Sequence, residues 1–201
     1  MLEQTRNKQI VEEKALIKAF QSSSDNSAFD KLVIKYQDKV FNLCYRFMGD
    51  YHEANDCAQD TFVKVFSSLK KFKGESEFST WLYRIAVNTC KNKLSSLAYR
   101  LSKIMVHLDR AKGEVEDDPP VEIKDESRSP EVELEIRERE KMLQVAINSL
   151  PEDQKTVVIL RDIEGLSYDE IAGIAGYNLG TVKSKLFRAR DELRNKLRGK
   201  L

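Results

Sequence analysis

The chain has 201 residues, room for one large or two small domains. With 41 % apolar and 33 % charged residues it is built to fold around a core in water, and no window reaches the roughly 18 consecutive apolar residues of a membrane span. The start, Met-Leu-Glu-Gln-Thr-Arg-Asn-Lys, lacks the apolar stretch of a secretion signal, so a cytoplasmic protein with no membrane insertion is expected.

The net charge of +1 hides a strong asymmetry. From residue 179 to the end, eight cations stand against two anions, a net of +6. From residue 111 to 140, five cations meet twelve anions, a net of −7. Such a split points to a basic working surface and a separate acidic segment. Cys44, Cys57 and Cys90 form no CxxC pair and fall in apolar helical patterns, so they read as small core residues in a reducing compartment. His52 and His107 have no partners at ligand spacing, and neither a metal nor a cofactor is expected.

In chain order, Ile10 to Phe20 reads as a short helix with Leu16, Ile17 and Phe20 inward, followed by the loop Ser22 to Ser27. Phe29, Leu32, Val33, Tyr36, Val40, Leu43, Cys44 and Phe47 keep helical spacing until Gly49-Asp50. A further helix places Ala54, Cys57, Ala58, Thr61, Phe62, Val65, Phe66 and Leu69 on its apolar face. Its other face carries Asp56, Gln59, Asp60 and Lys64, a solvated side or a docking surface on which two acids and an amide lie together without cations between them.

The loop from Lys70 to Glu77 is basic and contains Phe72, Lys73 and Gly74. It opens the helix Phe78 to Lys93, where Leu82, Ile85, Ala86 and Cys90 can face inward and Trp81, Arg84, Asn88 and Lys91 share another stripe. An aromatic, cations and an amide beside a basic loop suit unpaired DNA, because aromatic faces stack bases and cations follow the backbone. The competing reading is that Phe78 and Trp81 fill the core.

Leu97 to Leu108 is a weak helical continuation, and Lys112 to Pro130, broken by Asp117-Asp118-Pro119-Pro120 and Ser127-Arg-Ser-Pro130, is too acidic and too poor in aromatics to pack. Ser129 with Pro130 then opens a helix with Val132, Ile136, Leu143, Ala146, Ile147 and Leu150 inward. Pro151 starts another, which runs to about Glu164 and stops at Gly165. Ser167 with Glu170 forms a capping box, Gly176 can end that helix in the left-handed conformation, and Asn178 can cap the next one. Two short helices joined by such a turn read as a helix-turn-helix. In its second helix Val182, Leu186 and Ala189 face inward, leaving Lys183, Ser184, Phe187 and Arg188 outward, able to enter a major groove. The helix start at Gly180 and Thr181 could hold a phosphate. No strand alternation occurs, so the fold class is all-α: two small helical domains, residues 1–100 and 129–201, joined by a flexible acidic linker, residues 101–128.

Two blocks resemble one family. Asp56-Cys-Ala-Gln59-Asp60-Thr-Phe62 and Phe78-Ser-Thr-Trp81-Leu-Tyr-Arg84-Ile-Ala-Val-Asn88 are similar to region 2 of the extracytoplasmic-function sigma factors of bacteria. Leu150-Pro151-Glu152, Glu164-Gly-Leu-Ser-Tyr-Asp-Glu170-Ile-Ala172 and Gly180-Thr-Val-Lys-Ser-Lys-Leu-Phe-Arg-Ala-Arg190 are similar to their region 4. The wording around Trp81 and Lys183 resembles the envelope-stress type. The resemblance implies a subunit that binds core RNA polymerase and directs it to promoters. Asp56, Gln59 and Asp60 would dock on the clamp coiled coil of the largest polymerase subunit. Phe72, Lys73, Phe78, Trp81, Arg84, Asn88 and Lys91 would read and open the −10 element. Gly180, Thr181, Lys183, Ser184, Phe187 and Arg188 would read the −35 element. An anti-sigma factor is an expected partner.

Two departures stand out: Leu179 where proline is common, and Lys183 where arginine is frequent, which changes the base contacts that site can make. The linker can stretch to on the order of 100 Å at 3.3–3.6 Å per residue. Two elements one to two duplex turns apart lie about 35–70 Å from each other, so it can span them. The residues alone leave a second reading open, a free-standing helix-turn-helix regulator that dimerises through its amino-terminal half. An enzyme is not expected, since no nucleophile–base pair, metal cluster or phosphate loop occurs.

Overall fold

A computed structural model describes residues 2–23, 25–96 and 130–198, and every regular element in them is a helix, with no strand among the described residues. The expected weak helix from Leu97 and the whole acidic linker, residues 101–128, lie outside the described residues.

Four helices make the amino-terminal half: α1 (Leu2–Ser23), α2 (Asn26–Met48), α3 (Tyr51–Ser68) and α4 (Phe78–Ser95), with a 3-10 turn at Leu69–Lys71 between the last two. Their ends are set by local chemistry. Asp25 accepts from the Ser27 amide and Asp50 from the Glu53 amide, each satisfying one orphan N–H of a helix start. Gly49 closes α2 at φ 69°, its N–H donating to the Tyr45 carbonyl at 2.8 Å. The first helix begins earlier than the sequence pattern predicts. Its apolar spacing becomes regular only from Ile10, while residues 3–9 are mostly polar helix formers that carry propensity without periodicity.

The carboxyl-terminal half contains α5 (Pro130–Asn148), α6 (Glu152–Val158), a wider π-type turn (Ile159–Ile163), α7 (Tyr168–Ala175) and α8 (Leu179–Leu197). The helix expected from Pro151 to Glu164 is therefore two segments, and Pro151 caps the first rather than opening it. In the wide turn the Glu164 amide reaches the Ile159 carbonyl at 3.0 Å and the Leu166 amide reaches Leu160 at 3.0 Å. That extra residue per turn redirects the chain into the helix-turn-helix. Val132, expected inward, is 47 % exposed, because the described side chains of α5 before Gln144 are exposed or only half-buried. Phe66, also expected inward, sits at the core edge, its ring 5.3 Å from Phe20 and 5.0 Å from Phe29.

One apolar cluster runs through both halves, from Phe20, Leu32, Leu43, Phe47 and Leu82 to Leu160, Ile171, Val182 and Leu186. Burying each such side chain contributes about 1.5–3 kcal/mol. Helix α4 lies against α7, and the end of α2 meets α5 and the wide turn. Polar contacts reinforce this seam. Gln144 donates its amide to the Arg46 carbonyl at 3.0 Å, Tyr83 donates to Glu164 at 3.4 Å, and the buried Lys155 ammonium donates to the Phe47 carbonyl and, at 2.7 Å, to Asn148.

Gly49 sits at this seam. A Cβ there would come within 2.1 Å of the Asn148 side-chain nitrogen at a φ of +69°. Asn148 cannot swing away freely, because Gln144 and Lys155 both hold its carbonyl oxygen. Gly49→Ala should cost about 1–3 kcal/mol, the left-handed penalty plus the displaced asparagine, measured by chemical denaturation.

Candidate functional site

Three surfaces carry the residues singled out by the sequence. The first is the outer face of α3. Ala54, Cys57, Ala58, Thr61 and Val65 take the buried side, which leaves Asp56, Gln59 and Asp60 exposed at helical spacing, with Val63, 67 % exposed, next along the same stripe. The absence of cations expected there is corrected at one edge. Lys93, arriving from α4, pairs with Glu53 at 2.5 Å and Asp56 at 3.2 Å. Burial pulls the Lys93 ammonium down, but the two carboxylates outweigh it and push its pKa up. Asp56 is thus anchored, whereas Gln59 and Asp60 remain open on the surface.

The second surface is the loop after α3 and the exposed flank of α4. Phe72 leaves the 3-10 turn and sets its ring 4.9 Å from Trp81 and 6.1 Å from Phe78. Phe78 is only 5 % exposed, and its ring also meets Tyr36 at 5.5 Å, so it is the floor of the aromatic group rather than a face offered to solvent. The core reading thus applies to Phe78, while Phe72 and Trp81 are half-buried and keep an accessible side. Lys73, Arg84 and Asn88 are exposed. Arg84 and Thr80 border Gly173 of α7, close against its backbone. Lys91 is turned toward the other half, 3.5 Å from Glu152 and 4.0 Å from Asp153, with its ammonium 5.8 Å from the centre of the Tyr177 ring. The seven residues therefore share one helix and its loop, but they do not form one open patch.

The third surface is α8. The capping box at Ser167 and Glu170 is formed in both directions, Gly176 turns the chain at φ 72°, and the Asn178 side chain accepts from the Thr181 amide at 2.8 Å. That cap starts the helix at Leu179 without a proline and already satisfies one N–H of the expected phosphate seat. Gly180 is exposed and Thr181 half-buried. Val182, Leu186 and Ala189 are buried, so Lys183, Ser184, Phe187 and Arg188 all face outward, Phe187 at 74 % exposure. The remaining cations divide by role. Arg190 makes a two-bond pair with Asp162 at 2.9 and 2.5 Å, and Lys185 meets Asp153 at 2.6 Å. These pairs pin α8 onto the wide turn and α6. The Lys185 ammonium, followed by the Tyr177 hydroxyl, also holds the Asp153 carboxyl below the usual range.

The sequence patterns missed Lys155, the Tyr177–Asp153–Lys185 group and the Gln144 contact, all of which join segments far apart in the chain. Cys44, Cys57 and Cys90 are buried free thiols, and their mutual contact, with burial, pushes the pKa values of Cys57 and Cys90 up. Among the described residues no group of three or more His, Cys, Asp or Glu is placed to hold a metal, and no helix is long and apolar enough to cross a membrane.

Comparison with known proteins agrees with this geometry. The Sigma-70 region 2 family model matches residues 32–99, and the Sigma-70, region 4 model matches residues 140–193. The chain is 40 % identical over 193 residues to the RNA polymerase sigma-H factor of Pseudomonas aeruginosa, covering 96 % of this chain and 94 % of the relative. It is 40 % identical over 185 residues to the ECF RNA polymerase sigma-E factor of Haemophilus influenzae, covering 92 % and 95 %. The sigma-E factor of Escherichia coli K12 is 39 % identical over 173 residues, 86 % and 88 % of the two chains. Among solved structures, CnrH in complex with the cytosolic domain of CnrY superposes with a TM-score of 0.64 at 22 % identity, over 92 % of this chain and 97 % of that one. The sigma factor RpoE of Bartonella quintana, in complex with the anti-sigma factor NepR, gives 0.60 at 22 % identity, over 86 % and 98 %. At that identity these two share the fold.

Proposed function

The chain belongs to the extracytoplasmic-function sigma factors, subunits that bind core RNA polymerase and direct promoter-specific transcription initiation, and from that premise we propose which of its faces does each part of the work. The α3 face with Asp56, Gln59 and Asp60 docks on the clamp coiled coil of the largest polymerase subunit. Phe72 and Trp81 hold unpaired bases of the −10 element over the Phe78 floor, with Lys73, Arg84, Asn88 and Lys91 along the strand. Lys183, Ser184, Phe187 and Arg188 read the −35 element in the major groove. Residues 1–100 and 129–201 act as the two promoter-binding bodies, and the acidic segment 101–128 is the tether between them. It fits a basic channel of the polymerase better than the DNA, which would repel it.

The observation that carries this reading is the α8 face: four residues suited to base edges, backbone and methyl contact, presented on a helix capped at its start and pinned by two ion pairs from behind. Arg188→Ala should weaken −35 recognition by about 1–3 kcal/mol if the guanidinium meets a base edge, and should relax the preference at one position. Footprinting with reconstituted holoenzyme on −35 variants checks it. Equal loss on every sequence would assign Arg188 to the phosphates instead.

In the closed arrangement Lys91 is paired with Glu152 and Asp153, so reaching DNA requires those carboxylates to be exchanged for phosphates. Two elements 35–70 Å apart also require the halves to separate, with core polymerase supplying the binding energy. The site of action is the cytoplasm, where the polymerase works. Bond formation belongs to the polymerase, and this chain contributes binding energy and no catalytic step. The Bartonella quintana complex, a sigma factor bound to the anti-sigma factor NepR, supports an inhibitory protein partner as well, an anti-sigma factor that holds the chain until a signal releases it. The free-standing regulator is not favoured, because region 2 and region 4 are both present in family order.

A further inference from the structure

The last turn of α1 touches the aromatic loop through one side chain. Gln21 donates its carboxamide to the Leu69 carbonyl at 3.0 Å and to the Phe72 carbonyl at 2.8 Å. Both N–H groups are therefore spent on the two ends of a single 3-10 turn, whose own closing bond runs from the Phe72 amide to the Leu69 carbonyl at 3.1 Å. The Gln21 backbone is itself fixed. Its neighbour Phe20 is 2 % exposed and packs on Phe29 at 5.7 Å and Phe66 at 5.3 Å. Beyond Phe72 the chain runs out through exposed Lys73, Gly74 and Glu75, so the Phe72 carbonyl is where the loop leaves its anchor.

We propose that Gln21 is a positioning residue for promoter opening: its two hydrogen bonds hold the turn that sets Phe72 against Trp81, so that the aromatic pair is in place before a base arrives. The inference rests on the assignment of Phe72 and Trp81 to the −10 element. A loop whose first aromatic is already ordered loses less entropy on capturing a flipped base than one that must order at that moment. An amide is the suitable group here, since it offers two donors in one plane to two carbonyls and brings no charge.

Two variants isolate the donors. Gln21→Met keeps the length and removes both hydrogen bonds, and Gln21→Glu keeps the shape but presents only acceptors. Trp81 is the sole tryptophan of the chain, so acrylamide quenching of its fluorescence reports the order of the loop directly in the free protein. Both variants should raise the quenching constant about twofold and weaken binding of reconstituted holoenzyme to a single-stranded −10 oligonucleotide about tenfold, the equivalent of the two lost hydrogen bonds. Binding to core polymerase and to −35 duplex should match wild type. Unchanged quenching and oligonucleotide affinity overturn the proposal. So does a parallel fall in −35 binding, core binding and thermal stability, which would make Gln21 a fold residue only. Trp81→Ala and Phe72→Ala run alongside. If those keep oligonucleotide binding, the −10 assignment falls and the inference with it; if they lose it while the Gln21 variants do not, only the role of Gln21 falls.

Discussion

Asp60→Lys should abolish holoenzyme formation while leaving the fold untouched. Asp60 is exposed on the outer face of α3, opposite the buried Cys57, Thr61 and Val65. A substitution there should change stability by no more than about 0.5 kcal/mol. At an interface the balance differs. Truncating one partner of a hydrogen-bonded charge pair costs about 2–5 kcal/mol, and reversing the sign adds repulsion to the loss. An affinity decrease of a hundredfold or more is expected, enough that the purified variant no longer co-elutes with core enzyme on size exclusion. Asp56→Ala provides the graded comparison. Lys93 already compensates part of the Asp56 charge, so its removal should cost less than removal of Asp60, and Gln59→Ala should fall between neutrality and either. A normal core-binding curve for Asp60→Lys would remove α3 as the docking face, and a lowered melting temperature would show that the residue serves the fold.

The helix-turn-helix was legible in the sequence because its signals are local. Ser167 and Glu170 satisfy each other's backbone across three residues, Gly176 supplies the left-handed turn, and Asn178 reaches the amide three residues on. Burial of Val182, Leu186 and Ala189 follows from spacing alone. The extension of α1 before Ile10 was not legible, since those residues have helical propensity but no apolar stripe. Nor was the break after Val158, because Ile159 and Leu160 continue an apolar run that an uninterrupted helix would also show. Phe78 and Trp81 lie three residues apart and look alike in a pattern, yet Tyr36, brought over from α2, covers the first. What joins the halves was least visible. Arg46 with Gln144, Phe47 with Lys155 and Tyr83 with Glu164 are 98, 108 and 81 residues apart, and no periodicity encodes such pairs.

Lys155 is the sharpest case, and its chemistry gives a stability that should depend on pH. In sequence it reads as one more polar residue at the start of a helix. In the fold it is 5 % exposed, under the end of α2, with its ammonium on the Phe47 carbonyl and the Asn148 side chain. Burial pushes its pKa down to about 8 from 10.5, while the neighbouring Cys90 of α4 and Glu152 of its own helix pull weakly the other way. Above pH 8 the folded chain releases this proton first, whereas the unfolded chain keeps it up to about 10.5. The unfolded state then binds more protons, so the contribution of Lys155 to stability grows with pH across that window. The slope approaches about 1.4 kcal/mol per pH unit, an upper bound for a side chain that relaxes with its surroundings. Other groups oppose it. Cys57 is held protonated by its contact with Cys90 and by burial, Cys90 by its contact with Cys44 and by burial, and Tyr36 and Tyr83 mainly by burial, so each of these loses stability for the fold as pH rises past its ordinary value. The wild-type curve alone therefore does not isolate the lysine; the difference from Lys155→Met does, because the opposing groups are common to both and Lys155 bears only weakly on Cys90. At pH 7 the variant loses two hydrogen bonds but also the burden of a buried charge, and a cost of about 1 kcal/mol or less is expected. By pH 10 the gap between the two proteins should widen by about 2 kcal/mol in urea denaturation. A gap that stays constant from pH 7 to 10 would mean that Lys155 keeps its ordinary pKa and that the seam between the halves admits water at this point.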